Sequence, residues 1–221
     1  GIDPGHIMVG EGIDGLLSYL VRLLVEPGTP VVTSKGGYPT FNYHVSGYGG
    51  VLHMVPYAAD HEDPATLIAK ARDVSAKMVY FANPDNPMGS WHNSDAVQAL
   101  IDAMPDTTLL VLDEAYVELA PADTAPVLRP ETENVIRMRT FSKAYGMAGA
   151  RVGYAIGPKS LITAFDKLRN HFGMSRISQA GALAALADQD YFNSVVENVG
   201  QSRRQITKIA EANGLSALPS A

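Results

Sequence analysis

Apolar, often β-branched runs alternate along the chain with stretches in which apolar residues recur at helical spacing. The short apolar runs predict seven strands, at residues 6–9, 30–33, 51–56, 77–82, 108–112, 134–140 and 152–156. Helical spacing predicts helices at residues 14–25, 38–47, 64–73 and from 93 or 94 to 104. From Pro158 onward the pattern is helical almost to the end, with a weak break near residues 173–175.

Strands that alternate with helices predict a βαβ sheet covered by helices on both faces. The run 108–112 is continuously apolar, which is typical of a parallel strand buried on both sides. A chain of 221 residues is long enough for one good-sized core or two small ones. The expected fold class is therefore α/β, with the sheet first and a helical tail after it.

Composition narrows the classes of function. Apolar residues make up 46% and charged residues 18% of the chain, which is ordinary for a globular protein. The formal net charge is -6 and no Lys/Arg cluster is present, so we expect no nucleic-acid partner. No apolar run is long enough to cross a bilayer, so we expect no membrane partner. The absence of cysteine excludes disulfides, and the six histidines lack ligand spacing, so we predict no metal site.

Residues 10–15 (GEGIDG) match the pattern G-x-G-x-x-G between a strand and a helix. A dinucleotide fingerprint also needs an acid at the end of the second strand, and that strand ends in Thr33, Ser34 and Lys35. The dinucleotide interpretation therefore fails, although glycines and free N–H groups at a helix N-terminus suit any phosphate. A plain glycine turn remains the alternative on this motif alone.

Two segments contain candidate catalytic or ligand-binding residues. Asp113 follows the apolar strand, where a carboxylate is costly to bury without a cationic partner; the alternative is a satisfied structural aspartate. Lys143 follows another strand in a glycine-containing loop, where hydrophobic walls would lower the pKa of its amine and make it a nucleophile. Arg151 opens the next strand, and its guanidinium suits a phosphate. A surface loop with two ordinary basic residues is the alternative.

Five segments, in order along the chain, resemble motifs of the fold-type I pyridoxal-phosphate (PLP) aminotransferases of class I/II. They are residues 1–15, which resemble the strand, phosphate turn and helix start; 38–41 (YPTF), the aromatic turn that covers the ring; 83–89 (NPDNPMG), the motif N-P-N-N-P-T-G; 113–116 (DEAY), the motif D-E-A-Y; and 142–154 (SKAYGMAGARVGY), the lysine motif S-K-x-[FY]-G-x-[AP]-G-x-R-x-G-Y. The nearest branch resembles the histidinol-phosphate aminotransferases.

The resemblance implies a three-layer αβα fold with a mostly parallel seven-stranded sheet, as in the aspartate aminotransferase-like large domain. It implies PLP as cofactor, with Lys143, Asp113 and Tyr116 as catalytic residues. Lys143 would form a Schiff base with PLP and shuttle a proton, and Asp113 would pair with the pyridine nitrogen. The other implied contacts are Asn86 and Tyr116 on the phenolic oxygen, Phe41 stacked on the ring, and the backbone of Gly12, Ile13 and Asp14 with Ser142 and Arg151 on the phosphate.

The chain departs from the family pattern at three positions. Phe41 stands where the branch usually has Tyr, Met88 replaces the common Thr, and Gly15 stands where Glu is frequent. The chain is also shorter than family members. We expect residues 1–200 to be the PLP-binding large domain, incomplete at its N-terminus, and 201–221 to be a connecting helix and the start of a truncated small domain. In family members, the parts that we expect to be missing here supply a tyrosine to the partner subunit's phosphate site and an arginine that binds the substrate carboxylate. We therefore do not expect full activity from this chain alone.

The expected function is transamination between an amino acid or amino-acid-like phosphate and a keto acid, in a cytoplasmic homodimer. One alternative is a PLP-dependent decarboxylase or lyase of the same fold, since these groups activate the substrate without choosing which bond breaks. Another is a non-catalytic aminotransferase-like domain that senses a ligand.

Overall fold

The computed structural model describes residues 1–221, and its strands form a single sheet. The strands are β1 (Ile7–Gly10), β2 (Pro30–Ser34), β3 (Val51–Val55), β4 (Met78–Ala82), β5 (Leu109–Asp113), β6 (Val135–Thr140) and β7 (Gly153–Ile156). Their order in the sheet is β1-β7-β6-β5-β4-β2-β3. Only β7 runs antiparallel to its two neighbours, β1 and β6, and all other pairs are parallel. The predicted mostly parallel, seven-stranded sheet is confirmed.

The helices are α1 (Gly12–Leu24), α2 (Thr40–Gly47), α3 (Pro64–Asp73), α4 (Ser94–Ala103), α5 (Lys159–Phe165), α6 (Arg176–Ala187) and α7 (Gln189–Ala212). Polar caps set several of their starts: the side chain of Asp63 accepts from the N–H of Ala65, and that of Asn93 from the N–H of Ala96. The first four helices begin and end within about two residues of the predicted bounds, which is the usual uncertainty at helix ends.

The helical tail is more broken than the sequence pattern predicted. Helix α5 ends at Phe165, and α6 starts only at Arg176, so the break is longer than residues 173–175. A second break falls at Asp188, whose side chain caps α7 by accepting from the N–H of Tyr191. No helix, including the 24-residue α7, combines the length and the apolar character that a membrane crossing would need.

Side chains of the central strands alternate between two apolar cores. On β4, Met78 and Tyr80 belong to the core under α1, α2 and α5, whereas Val79 and Phe81 belong to the core under α3 and α4. Because successive side chains of a strand point to opposite faces, helices cover the sheet on both sides. This confirms the three-layer αβα arrangement. The carboxyl ends of β1, β4, β5 and β6 meet at one edge, where α/β folds bind their ligands.

Candidate active site

A cavity of about 150 Å³ opens at this edge of the sheet. Every site residue predicted from the sequence lines it except Gly12 and Phe41. Eight further residues complete its wall: Leu17, Tyr38, Thr40, Tyr80, Ala82, Pro84, Ala115 and Thr140. The motifs, which lie far apart along the chain, therefore converge on one site.

The N-terminus of α1 forms one end of the cavity. Gly12 starts the helix with a left-handed φ of 79°, and no side chain caps the first turn, where Ile13 and Asp14 face the cavity. This left-handed conformation is strained for any residue with a Cβ, so the backbone favours glycine at position 12, where the guanidinium of Arg151 also lies close by. An uncapped helix N-terminus beside a guanidinium is suited to an anion such as phosphate.

Arg151 and Ser142 complete this anion site. Nη1 of Arg151 donates to the carbonyl of Ala148 at 3.0 Å and lies 3.4 Å from Oγ of Ser142. Arg151 has a left-handed φ of 54°, which is rare for a residue with a Cβ and marks a position that its surroundings impose. Oγ of Ser142 lies in turn 2.9 Å from Oγ1 of Thr140, which fixes the serine hydroxyl at the end of β6.

Asp113 is the buried carboxylate of the cavity, with 7% of the residue exposed. Its Oδ2 accepts from the hydroxyl of Tyr80 at 2.6 Å, and its Oδ1 accepts from the N–H of Ala115 at 2.9 Å. Burial raises the pKa of this carboxyl, while the bond from Tyr80 opposes that rise. A buried carboxylate in a ligand cavity is well placed to bind a protonated ring nitrogen.

Lys143, Tyr116 and Asn86 lie next to one another in the cavity wall. Nζ of Lys143 lies 4.9 Å from the centroid of the Tyr116 ring, and Nδ2 of Asn86 donates to the Tyr116 hydroxyl at 3.2 Å. Lys143 is exposed in this chain. It lines the cavity, where a carbonyl compound can reach its amine.

Phe41, which is predicted to stack on the cofactor ring, does not line the cavity. It is fully buried, and its ring stacks on that of Tyr80, with centroids 4.8 Å apart and planes at 16°. Tyr38 and Thr40, from the same turn, reach the cavity instead. The sequence motif located the aromatic turn but did not indicate which of its side chains points inward.

Other polar residues at the site were not predicted. Tyr80 gave no signal beyond its place in an apolar strand, although strand alternation puts it on the same face as Ala82. His44 was not predicted either: its Nε2 lies 2.8 Å from Oδ1 of Asp14, beside the anion site. Glu114 of the DEAY motif is buried and forms ion pairs with Arg137 and Arg139.

A second buried acid, Glu62, lies behind the cavity wall. Its Oε1 accepts from the N–H of Ala82 at 2.9 Å, and its Oε2 accepts from the hydroxyl of Ser34 at 2.6 Å. Burial raises its pKa to about 8, against the usual 4.5. No group of three or more His, Asp or Glu side chains is arranged to hold a metal ion.

The chemistry of the cavity fits pyridoxal phosphate. The helix N-terminus, Ser142 and Arg151 suit its phosphate, the Asp113 carboxylate suits a pyridinium nitrogen, and the Lys143 amine suits its aldehyde. At the phosphate end, the left-handed φ of Gly12 favours a glycine, which keeps a side chain away from the first turn of α1.

Comparison with known proteins supports this fit. The model of the family "Aminotransferase class I and II" matches residues 2–221. Histidinol-phosphate aminotransferase of Geobacillus thermodenitrificans is 35% identical over 224 residues, which cover 100% of this chain and 61% of that protein. A similar protein of Carboxydothermus hydrogenoformans, histidinol-phosphate aminotransferase 2, is 33% identical, with 100% and 62% covered.

Solved structures share the fold. Histidinol-phosphate aminotransferase from Sinorhizobium meliloti, in complex with pyridoxal-5'-phosphate, superposes with a TM-score of 0.96 at 58% identity, covering 100% of this chain and 60% of that one. A Thermus thermophilus aspartate aminotransferase mutant gives a TM-score of 0.82 at 24% identity, covering 96% and 60%, a level that shows the fold alone. The chain spans about 60% of the length of these relatives.

Proposed function

The chain belongs to the class I and II aminotransferases, and on that premise we propose that it is the cofactor-binding part of a PLP-dependent aminotransferase. The proposal rests chiefly on the convergence of the Lys143 amine, the Asp113 carboxylate and an anion site on one cavity. The proposed reaction moves an amino group between an amino acid, or an amino-acid-like phosphate, and a keto acid.

Each residue has a defined task in this proposal. Bound PLP supplies an electron sink for the electrons of the bond broken at the substrate α-carbon. Lys143 binds the cofactor through its amine and later takes up and returns a proton at the substrate α-carbon. Asp113 holds the proton on the pyridine nitrogen, and the hydrogen-bonded pair Asn86 and Tyr116 faces the phenolic oxygen. The first turn of α1, Ser142 and Arg151 bind the phosphate.

The substrate class follows from the names of the relatives, which act, as named, on histidinol phosphate. We propose residues 1–200 as the large PLP-binding domain and 201–221 as the connection to a further domain. Helix α7 continues across residue 200, and its outer turns are exposed, as a connecting helix requires.

We propose that the working protein is a cytoplasmic homodimer. Large apolar side chains are exposed on the α5–α6 side of the molecule, including Phe172, Ile177 and Leu183. Exposed apolar surface of this kind favours association. Sedimentation velocity over a range of concentrations tests this point, and a monomer at the highest concentration would contradict it.

The decisive experiment on the cofactor is spectroscopic. Adding PLP to the purified protein should give the absorbance band of a lysine-bound cofactor, and borohydride reduction followed by peptide mass mapping should place a pyridoxyl group on Lys143. The variant Lys143→Ala should show no such band, whereas Lys208→Ala, at an exposed lysine of α7, should match the wild type. A band that survives in Lys143→Ala would refute the site.

The reaction type needs a separate measurement on the full-length protein. With histidinol phosphate and a keto acid, the expected products are the corresponding carbonyl compound and amino acid. Release of carbon dioxide without amino transfer would contradict the proposed reaction while leaving the cofactor assignment intact.

A further inference from the structure

We propose that Tyr80 is a positioning residue for the cofactor: its hydroxyl holds Asp113 in the orientation and charge state that binds the pyridine nitrogen. This inference rests on the proposed function, because it assigns Asp113 to that nitrogen. It goes further by identifying the group that controls the carboxylate, a residue that none of the family motifs in this sequence contains.

The sheet brings the two residues together. In the parallel pairing of β4 with β5, Ala82 lies opposite Asp113 and Tyr80 opposite Val111. Tyr80 and Asp113 are therefore diagonal neighbours, and strand alternation places both side chains on the same face. The long tyrosine side chain spans this diagonal, and its hydroxyl reaches Oδ2 of Asp113 at 2.6 Å.

The carboxylate of Asp113 is held at both oxygens. Tyr80 donates to Oδ2, and the N–H of Ala115 donates to Oδ1. With both oxygens engaged, the plane of the carboxylate is fixed, and each oxygen still has a lone pair for one more donor. A protonated ring nitrogen in the cavity is a donor of this kind.

Tyr80 also affects the charge on Asp113. Burial raises the pKa of this carboxyl, and the Tyr80 hydroxyl provides the largest opposing contribution. The other charged or titratable groups that act on the pair are Lys143, which favours the ionised carboxylate, and Glu114, Glu62 and Asp85, each of which opposes ionisation of the pair when it is itself ionised. The pKa of Tyr80 itself is raised well above its usual value by burial, so its hydroxyl remains a donor at any working pH.

The ring of Tyr80 is fixed in turn by Phe41. The two rings are stacked, and Phe41 is fully buried while Tyr80 is 3% exposed. The aromatic segment 38–41, which leads into α2, thus acts on the site through the contact between Phe41 and Tyr80. This gives Phe41 a task that agrees with its observed position, which is behind the cavity wall.

The test compares Tyr80→Phe with Tyr19→Phe, a matched loss of a hydroxyl that is bonded to the carboxylate of Glu11 outside the cavity. Without its donor, Asp113 draws the pyridine proton toward itself, and the ring carries less positive charge. The Lys143 nitrogen that is bonded to the cofactor should then keep its proton to higher pH. We expect the midpoint of the absorbance titration of bound PLP to rise by about half a pH unit or more in Tyr80→Phe.

The dissociation constant of PLP should rise about tenfold in the same variant, the size expected for a hydrogen bond to a charged group. Tyr19→Phe should change neither quantity. If Tyr80 acts through Asp113, adding Tyr80→Phe to Asp113→Asn should change little beyond Asp113→Asn alone. Additive effects of the two substitutions would overturn the inference.

The two levels of failure are distinguishable. If the full-length wild type gives no lysine-bound band, the proposed function fails. If the wild type gives the band and Tyr80→Phe matches it in midpoint and affinity, only the inference on Tyr80 is overturned. Should Tyr80→Phe not fold, Phe41→Leu keeps the hydroxyl but removes its stacking partner; a smaller upward shift of the midpoint supports the inference, and an unchanged midpoint overturns it.

Discussion

Glu114 and Arg137 form a buried ion pair between the end of β5 and the middle of β6, with Oε1 of Glu114 lying 2.5 Å from Nη2 and 3.0 Å from Nε. Only 2% of the glutamate side chain and 5% of the arginine side chain are exposed. Arg139 adds a second contact, at 2.8 Å to Oε2. The pair ties together the two strands whose ends carry Asp113 and Lys143.

Removing the carboxylate should therefore destabilise the fold. In Glu114→Ala both arginines lose their partner while Arg137 stays buried, and breaking such a pair typically costs about 3–5 kcal/mol. The free energy of unfolding in urea measures the loss. Asp73→Ala, which breaks the exposed pair with Lys70 on α3, is the control and should change little. Equal effects of the two substitutions would contradict a structural role for Glu114.

Glu62 should make stability depend on pH. Its folded-state pKa of about 8 lies above the usual 4.5, so between these values the folded protein holds a proton that the unfolded chain releases. The contribution of this group to stability is thus fully present below about pH 4.5 and is lost as pH rises toward 8. Glu62→Gln, which cannot ionise, should gain stability relative to the wild type as pH rises, by on the order of a few kcal/mol.

Urea unfolding of wild type and Glu62→Gln at pH 5, 6, 7 and 8 provides this comparison. The exposed Glu131→Gln is the control for loss of a negative charge, and its difference from the wild type should stay nearly constant. A difference between wild type and Glu62→Gln that does not grow with pH would show that Glu62 is ionised in the folded protein throughout this range.

Arg151 should discriminate between cofactors with and without a phosphate. Arg151→Gln keeps most of the side-chain length but loses the charge, so PLP affinity should fall about tenfold to a hundredfold, as for loss of a charged hydrogen bond. Affinity for pyridoxal, which lacks the phosphate, should be nearly unchanged. Titrations followed by absorbance give both dissociation constants. Parallel losses for the two compounds would place Arg151 outside the phosphate site.

Gly153 should not tolerate a side chain. A Cβ on this residue of β7 would lie 2.7 Å from the carbonyl carbon of Gly12 and 2.8 Å from the nitrogen of Ile13, which are backbone atoms that cannot turn aside. Gly153→Ala should therefore push the start of α1 away from the sheet, lowering both the unfolding free energy and PLP affinity. Gly149→Ala is the matched control, because nothing lies within 4 Å of a Cβ there. A tolerated Gly153→Ala, by denaturation and by PLP titration, would contradict this packing.

Much of this protein was determined by the sequence alone. The strands and the first four helices follow from apolar spacing and from caps such as Asp63 and Asn93, which act within a few residues. Lys143 and Asp113 could be located because each lies at or shortly after the end of a strand, and the ends of parallel strands meet at one edge whatever the details of packing. The motif residues thus reached the cavity with the exceptions of Gly12 and Phe41.

Other features were decided only by the tertiary structure, because they depend on contacts between elements far apart in the chain. Phe41 contacts Tyr80 rather than lining the cavity, because α2 packs on the face of the sheet to which the Tyr80 side chain points. On that same face the hydroxyl of Tyr80 reaches Asp113. The high pKa of Glu62 arises from burial behind the end of β4, 20 residues away in sequence. Local periodicity specifies which residues share a face of one element, but which side chain meets which is set only when those faces pack together.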